Sequence, residues 1–82
     1  MAVFNVCLIN PPAAPVLVEQ HEVSSLREAR EILAMWTEPT DQIVDLHLSQ
    51  LPSGRYLTPM LIMASDGEAT DIFGQFIHDD TI

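Results

Sequence analysis

The sequence contains no lysine, and its three arginines face twelve acidic residues. The formal net charge of the 82-residue chain is therefore −9. Proteins that bind a phosphate backbone do so with clustered lysine and arginine side chains. The composition thus excludes direct nucleic-acid binding of this kind.

Cysteine and long apolar runs are also scarce. Cys7 is the only cysteine, which excludes an internal disulfide and favours a reducing, cytoplasmic location. No stretch reaches the roughly 18 apolar residues of a membrane span. Residues 1–18 are uncharged and lack the basic start of a secretory signal, so we expect no signal peptide.

The apolar content is 48%, which is typical of a folded chain, and we expect one small domain spanning residues 1–82. Runs rich in β-forming residues predict strands at Val3–Ile9 and Val16–His21. Both sides of the first run are largely apolar, which is typical of a central strand or of one covered by a partner. The prolines between the two runs predict a turn.

A helix is predicted from Leu26 to Trp36. Ser25 and Glu28 match a capping box, in which each side chain accepts a hydrogen bond from an otherwise unpaired backbone N–H. Apolar residues recur at spacings of three and four along the segment. Pro39 ends the helical pattern, because the residue before a proline is disfavoured in the α region.

The second half of the chain predicts strands. Ile43–Gln50 alternates between apolar and polar residues, and Arg55–Ala64 is its expected return strand, with a local irregularity at Pro59. The buried side of the first would consist of Val44, Leu46 and Leu48. The last segment, residues 70–78, fits a strand or a short helix, and the preceding Asp66–Gly67 turn favours the strand.

Together these elements predict an α+β domain with the order β-β-α-β-β-β. The expected fold is an antiparallel sheet of four to five strands with one helix packed on one face.

No catalytic or metal-binding residue is predicted. Asp45, His47 and Ser49 have the residue types of a catalytic triad, but same-side positions on a strand lie about 6.6–6.8 Å apart, too far for proton transfer. His21 and His78 lie on other elements and lack zinc-ligand spacing, so all three histidines are expected to be solvated at the surface. We expect no metal and no cofactor.

Two further segments have structural interpretations. Cys7 lies in an apolar stretch and is expected to be a buried, unreactive thiol. Asp66, Glu68 and Asp71 lack the spacing of a calcium loop, so a hairpin turn is expected there.

The acidic residues fall into two blocks, residues 19–45 and 66–80, separated by a nearly neutral segment. Such a surface repels nucleic acid and attracts basic grooves. We expect these residues to contact a partner with a basic surface: Glu28, Glu31, Glu38, Asp41, Asp45, Asp66, Glu68, Asp71, Asp79 and Asp80.

Apolar residues form the second candidate interface. A domain of this size buries only about 60% of its extended-chain surface, so we expect some large apolar groups to support a homodimer. The candidates are Trp36, Tyr56, Met60, Phe73 and Phe76.

In size and charge the chain is similar to phage and mobile-element proteins that bind and inhibit host machinery, including anti-CRISPR proteins. The resemblance implies a non-enzymatic inhibitor or modulator that blocks a basic surface of a partner, such as one that binds nucleic acid. The alternative is a structural or regulatory homodimer whose acidity serves only solubility.

Overall fold

The computed structural model describes residues 2–9 and 14–79 and shows an antiparallel sheet of six strands with one helix. This confirms the predicted α+β class, with more strands than the four to five expected. In chain order the elements are β1 (Ala2–Leu8), β2 (Val16–Val23), α1 (Leu26–Ala34), β3 (Gln42–Asp45), β4 (Ser49–Gln50), β5 (Tyr56–Met63) and β6 (Ala69–His78).

The strand order across the sheet is β2-β1-β6-β5-β3, and the short β4 also pairs with β5. The predicted central position of the first strand is confirmed, since β1 pairs with β2 on one side and β6 on the other. The last segment is a strand rather than a helix. No helix in the described part of the chain is long and apolar enough to cross a membrane.

Helix α1 packs on one face of the sheet and closes the core. Ala29 and Leu33 are its fully buried residues. The core consists of Ala2, Phe4, Val6, Val23, Ala29, Leu33, Met60, Ile62 and Phe76. Met60 and Phe76, two of the predicted interface residues, are 0% and 2% exposed. They offer no surface to a partner, which corrects that expectation.

The predicted strand Ile43–Gln50 is broken in two by Pro59 of the neighbouring strand. The Pro59 carbonyl accepts a hydrogen bond from the Leu46 N–H at 2.8 Å. In an antiparallel pair, the N–H and C=O of one residue point to the same neighbouring strand. Position 59 therefore offers the segment around Leu46 a carbonyl acceptor but no N–H donor, because proline has none. The pairing of β5 with β6 is regular at Pro59 and shifts only between Leu61 and Met63, so β5 is not bulged at the proline. The segment expected as one strand at Ile43–Gln50 is interrupted opposite Pro59, and that prediction is wrong.

The break also changes which side chains are buried. Leu46 and Leu48, predicted on the buried side of a continuous strand, are 42% and 44% exposed. Val44 remains in β3 but is 37% exposed.

The Phe4 side chain of β1 makes a close contact with Gly74 of β6 in the core. The Phe4 ring lies over Gly74 of β6, where a Cβ atom would come within 2.6 Å of Phe4 Cε1 and 3.5 Å of Leu33 Cδ2. A real side chain cannot approach so closely without displacing the ring. Glycine is therefore required at position 74 for packing.

We predict that Gly74→Ala lowers the free energy of unfolding by about 1–3 kcal/mol, because overpacking forces a buried ring out of its position. Urea denaturation followed by circular dichroism measures the change. In a Phe4→Leu background, where the ring is absent, the same substitution should cost less. Coincident melts of Gly74→Ala and the parent would contradict the packing role.

The helix begins at the predicted capping box. Ser25 has extended backbone angles (φ −159°, ψ 164°), and its Oγ accepts a hydrogen bond from the Glu28 N–H at 3.1 Å. The Glu28 carboxylate accepts from the Ser24 N–H at 3.2 Å, one residue before the N-cap. Capping by Ser25 is thus confirmed, but the Glu28 carboxylate bonds to the Ser24 N–H rather than to the N–H of Ser25 itself.

The helix ends earlier than predicted. Ala34 is its last residue and Met35 is the C-cap. The Trp36 N–H bonds to the Leu33 carbonyl at 2.9 Å, which tightens the final turn. Thr37 Oγ1 then donates to the Ala34 carbonyl at 2.7 Å and satisfies that acceptor.

We predict that Ser25→Ala lowers the free energy of unfolding by about 0.5–2 kcal/mol, because a backbone N–H in the first turn loses its acceptor. Ser24→Ala is the matched control. It keeps the backbone bond to Glu28 and should cost less. Denaturant melts that order the two variants the other way would contradict the cap assignment.

Candidate functional site

Acidic residues from both blocks of the sequence meet at one end of the sheet. β5 ends there, β6 begins there, and β3 starts beside them because Gln42 pairs with Met63. A shallow cleft of about 430 Å³ is lined by Thr40 before β3 and by Gly67 in the turn between β5 and β6. The acidic end, as this surface is termed below, consists of Glu38, Asp41, Asp66, Glu68 and Asp71.

Two of these carboxylates shape the loops that carry them. Asp41 Oδ2 accepts from the Glu38 N–H at 2.8 Å, and Asp66 Oδ1 accepts from the Glu68 N–H at 2.9 Å. The side-chain carboxylates of Glu38, Glu68 and Asp71 have no hydrogen-bond or ion-pair partner among the described residues. Three carboxylates are therefore available to an incoming group.

The arginines lie elsewhere. Arg27 pairs with Glu31 within α1 at 3.4 Å, and Arg30 pairs with Asp45. Arg55 pairs with Asp79 at the opposite end of the sheet, with Nε and Oδ1 2.9 Å apart. These pairs are partly or largely exposed, so solvent screens them and they contribute little to stability.

The helix adds to the negative potential of the acidic end. The chain passes from α1 through residues 35–41 into β3, so the C-terminus of α1 points towards this end. A helix C-terminus carries a partial negative charge, and the last turn of α1 contains no basic residue. The field of the helix and the five carboxylates therefore have the same sign.

The remaining predicted acidic residues lie outside the acidic end. Glu28 caps the helix, and Glu31 and Asp45 are paired with arginines on the helix side. Asp79 lies with Arg55 at the far end. Asp80 lies outside the described residues.

The face of the sheet opposite α1 is termed the open face. Cross-strand pairing arranges its side chains in three rows. The first row is Glu22, Val3, Ile77, Leu57 and Ser49; the second is Gln20, Asn5, Gln75 and Pro59; the third is Leu17, Cys7, Phe73, Leu61 and Val44. Apart from Glu22 and Ser49 at the two edges of the sheet, two apolar rows thus flank a row of neutral amides that ends at Pro59.

Of the predicted apolar interface residues, only Phe73 lies on the open face, where it is half-buried. Tyr56 lies on the helix side and stacks on His78, with ring centroids 6.0 Å apart. Trp36 follows α1 and packs against the core. Residues 57–61 do not alternate between apolar and polar types, so the sequence of β5 gives no signal for the open face.

The residues of the triad-like pattern are not brought together. Asp45 ends β3 and pairs with Arg30, His47 is exposed in the break after it, and Ser49 begins β4. The interruption of the strand removes the shared side on which the three were expected.

The histidines are also separate. His21 Nε2 lies 3.0 Å from Glu19 Oε1 on β2. His78, expected at the surface, is instead 5% exposed, because it stacks on Phe76 at 4.7 Å and lies 3.3 Å from Thr58 Oγ1. Within residues 2–9 and 14–79, no group of three or more His, Cys, Asp or Glu side chains is arranged to hold a metal ion.

A second cleft, of about 480 Å³, lies on the helix side beside the N-terminus of α1. Leu46, Leu48 and Phe76 supply its apolar walls. Its polar lining residues are Ser24, Ser25, Arg27, Asp45, Thr58 and His78, and the last two contact each other. The cleft therefore combines apolar walls with polar side chains.

No protein-family model matches this sequence, and comparisons with curated proteins and with solved structures also find no match. The surfaces of the molecule are therefore the observations that bear on its function. Two of them are distinctive, the acidic end and the open face.

Cys7 is buried, as predicted, and burial raises the pKa of its thiol. The thiol therefore stays protonated at neutral pH, and the nucleophilic thiolate is scarce. We predict that iodoacetamide labels Cys7 much more slowly in the folded protein than in urea, as measured by mass spectrometry. Equal labelling rates would show that the thiol is accessible and reactive.

Proposed function

We propose that this chain is a non-enzymatic protein-binding domain that uses its acidic end to occupy a basic surface of a partner protein and so inhibits or modulates that partner. The observation that carries the proposal is the gathering of five carboxylates, from two separate parts of the sequence, at one end of the sheet. No arginine of the described chain lies among them.

The chemistry of the acidic end fits a surface built to hold phosphate groups. Clustered arginine and lysine side chains that bind a nucleic-acid backbone also attract carboxylates. A protein that occupies such a surface competes with the nucleic acid for the same cations. In this respect the domain is similar in character to phage-encoded inhibitors of host defence such as anti-CRISPR proteins.

The loops that carry the carboxylates favour this role. The side chains of Asp41 and Asp66 hold their own turns through short hydrogen bonds to backbone N–H groups. A preorganised loop loses less conformational entropy on binding than a flexible one. Glu38 and Glu68, whose backbones these bonds fix, can then contact a partner at low cost.

The site of action that fits these properties is the cytoplasm. The single thiol of Cys7 is buried and unpaired, which suits a reducing compartment. No disulfide or cofactor is part of the proposed function.

A triple substitution tests the acidic end. Glu38→Gln, Glu68→Gln and Asp71→Asn together remove three charges, so the formal net charge changes from −9 to −6 (−9 + 3). The three side chains support no hydrogen bond that holds the fold, so stability should change little. We predict that association with the partner slows by about tenfold or more at low salt and becomes less dependent on salt, because steering by exposed charges is screened.

The matched control carries the same charge change at other positions. Glu19→Gln, Glu22→Gln and Glu31→Gln also bring the formal charge from −9 to −6 (−9 + 3) but leave the acidic end intact. The partner is first captured with the unmodified protein and identified by mass spectrometry, and stopped-flow kinetics are then measured for all three proteins. Equal slowing by both triples would show that only net charge matters. Unchanged rates in both would mean that the acidity serves solubility.

A structural or regulatory homodimer is the second candidate function. The observation that favours it is the apolar character of the open face, which is independent of the acidic end.

A further inference from the structure

The open face is an apolar surface with no helix on it in the described part of the chain. The single helix there, α1, contacts the sheet from the other side, where its residues join the core. Val3, Leu57, Leu61, Phe73 and Ile77 are all half-buried by their neighbours within the sheet and remain partly accessible from above. A monomer thus exposes apolar side chains over most of one face of its sheet.

The face is large enough for a stable interface. The sheet is five strands wide, and its four long strands have seven to ten residues each. At about 4.8 Å between strands and about 3.3 Å per residue, the face measures roughly 25 by 25 Å, or about 600 Å². Two copies would together bury about 1,200 Å², which exceeds the roughly 1,000 Å² that a specific interface requires.

The charge distribution identifies the occupant. The second and third rows of the open face contain no charged side chain, although the whole chain has a net charge of −9. The charged side chains on this side lie at its margins, where Glu22 ends the first row on the edge strand β2, Asp71 lies near the start of β6, and Arg55 pairs with Asp79. A basic partner would meet no acidic side chain at the centre of the face. A second copy of the same acidic chain meets the least repulsion on this face.

The row of amides makes the face complementary to itself. Gln20 Nε2 donates to Asn5 Oδ1 at 2.9 Å, and Asn5 Nδ2 donates to Gln75 Oε1 at 3.4 Å. Each amide side chain has donors and acceptors, so the same row on a second copy offers matching groups. A two-fold interface requires this, because the same surface patch must pair with itself.

We propose that the open face is a homodimer interface, in which the open faces of two copies pack as a β-sandwich about a two-fold axis close to Gln75. Gln75 lies on β6, the middle strand of the five. The two apolar rows of each copy lie against those of the other, at the roughly 10 Å spacing of packed sheets. This inference does not depend on the proposed binding of a basic partner.

A single isosteric substitution tests the proposal. Gln75→Glu keeps the oxygen that accepts from Asn5 but places a negative charge at the centre of the face. Gln50→Glu is the matched control, because Gln50 is exposed and pairs with Tyr56 on the helix side. Sedimentation equilibrium from micromolar to millimolar concentrations measures the mass of each protein, and circular dichroism confirms that each is folded.

We expect the unmodified protein to reach twice its monomer mass of 9.1 kDa. Gln75→Glu should raise the dissociation constant by about tenfold or more, because two like charges meet near the axis, whereas Gln50→Glu should change it by about twofold or less. If Gln75→Glu does not fold, Val44→Asp at the margin of the open face replaces it. Leu46→Asp, which has similar exposure on the other side, is then the control.

Three results would overturn the proposal. The first is a mass of 9.1 kDa up to millimolar concentrations, which would leave the face to a different protein. The second is an association that the open-face substitution does not weaken, which would place the contact at a strand edge. The third is equal weakening by the open-face variant and its control, which would make net charge the only determinant.

Discussion

In the part of the chain that the structure describes, the nine-residue helix α1 covers only one side of a sheet that is five strands wide. The core forms where α1 meets the sheet closely. Because Gly74 has no side chain, the Phe4 ring can lie over it. Leu33 of α1 packs against the same position, so the helix and the sheet meet closely there. The open face lies outside this core, so its side chains are stabilised by contacts within the sheet or by a partner.

The chain separates its charge from its apolar surface. Carboxylates concentrate at the turns, along the helix and on the edge strand β2, whereas the second and third rows of the open face are neutral. Packing two open faces together would leave both acidic ends at the margins of the assembly. A dimer of this kind would present two binding ends, and a partner with two basic sites would be held more tightly through the raised effective concentration.

Much of the fold follows from local signals in the sequence. The capping pair Ser25 and Glu28 locates the start of the helix, and the apolar run of β1 indicates a central strand. The break before Ser49 was not predictable from its own segment, because the cause is Pro59 in another strand. His78 is buried for a similar reason, since its partners Thr58 and Phe76 come from tertiary contacts. The acidic residues were visible in the sequence, but which of them share one end depends on strand pairing.

The proline within β5 has a further consequence for the edge of the sheet. β3 has four residues and β4 has two, and the gap opposite Pro59 lies between them. An edge strand becomes a template for adding chains, and for amyloid growth, when it offers a long run of unpaired backbone groups. At the β3 edge this run is interrupted by Pro59, which lies in the neighbouring strand β5. Extension of the sheet into fibres is therefore disfavoured at that edge, where Asp45 of β3 also places a charged side chain.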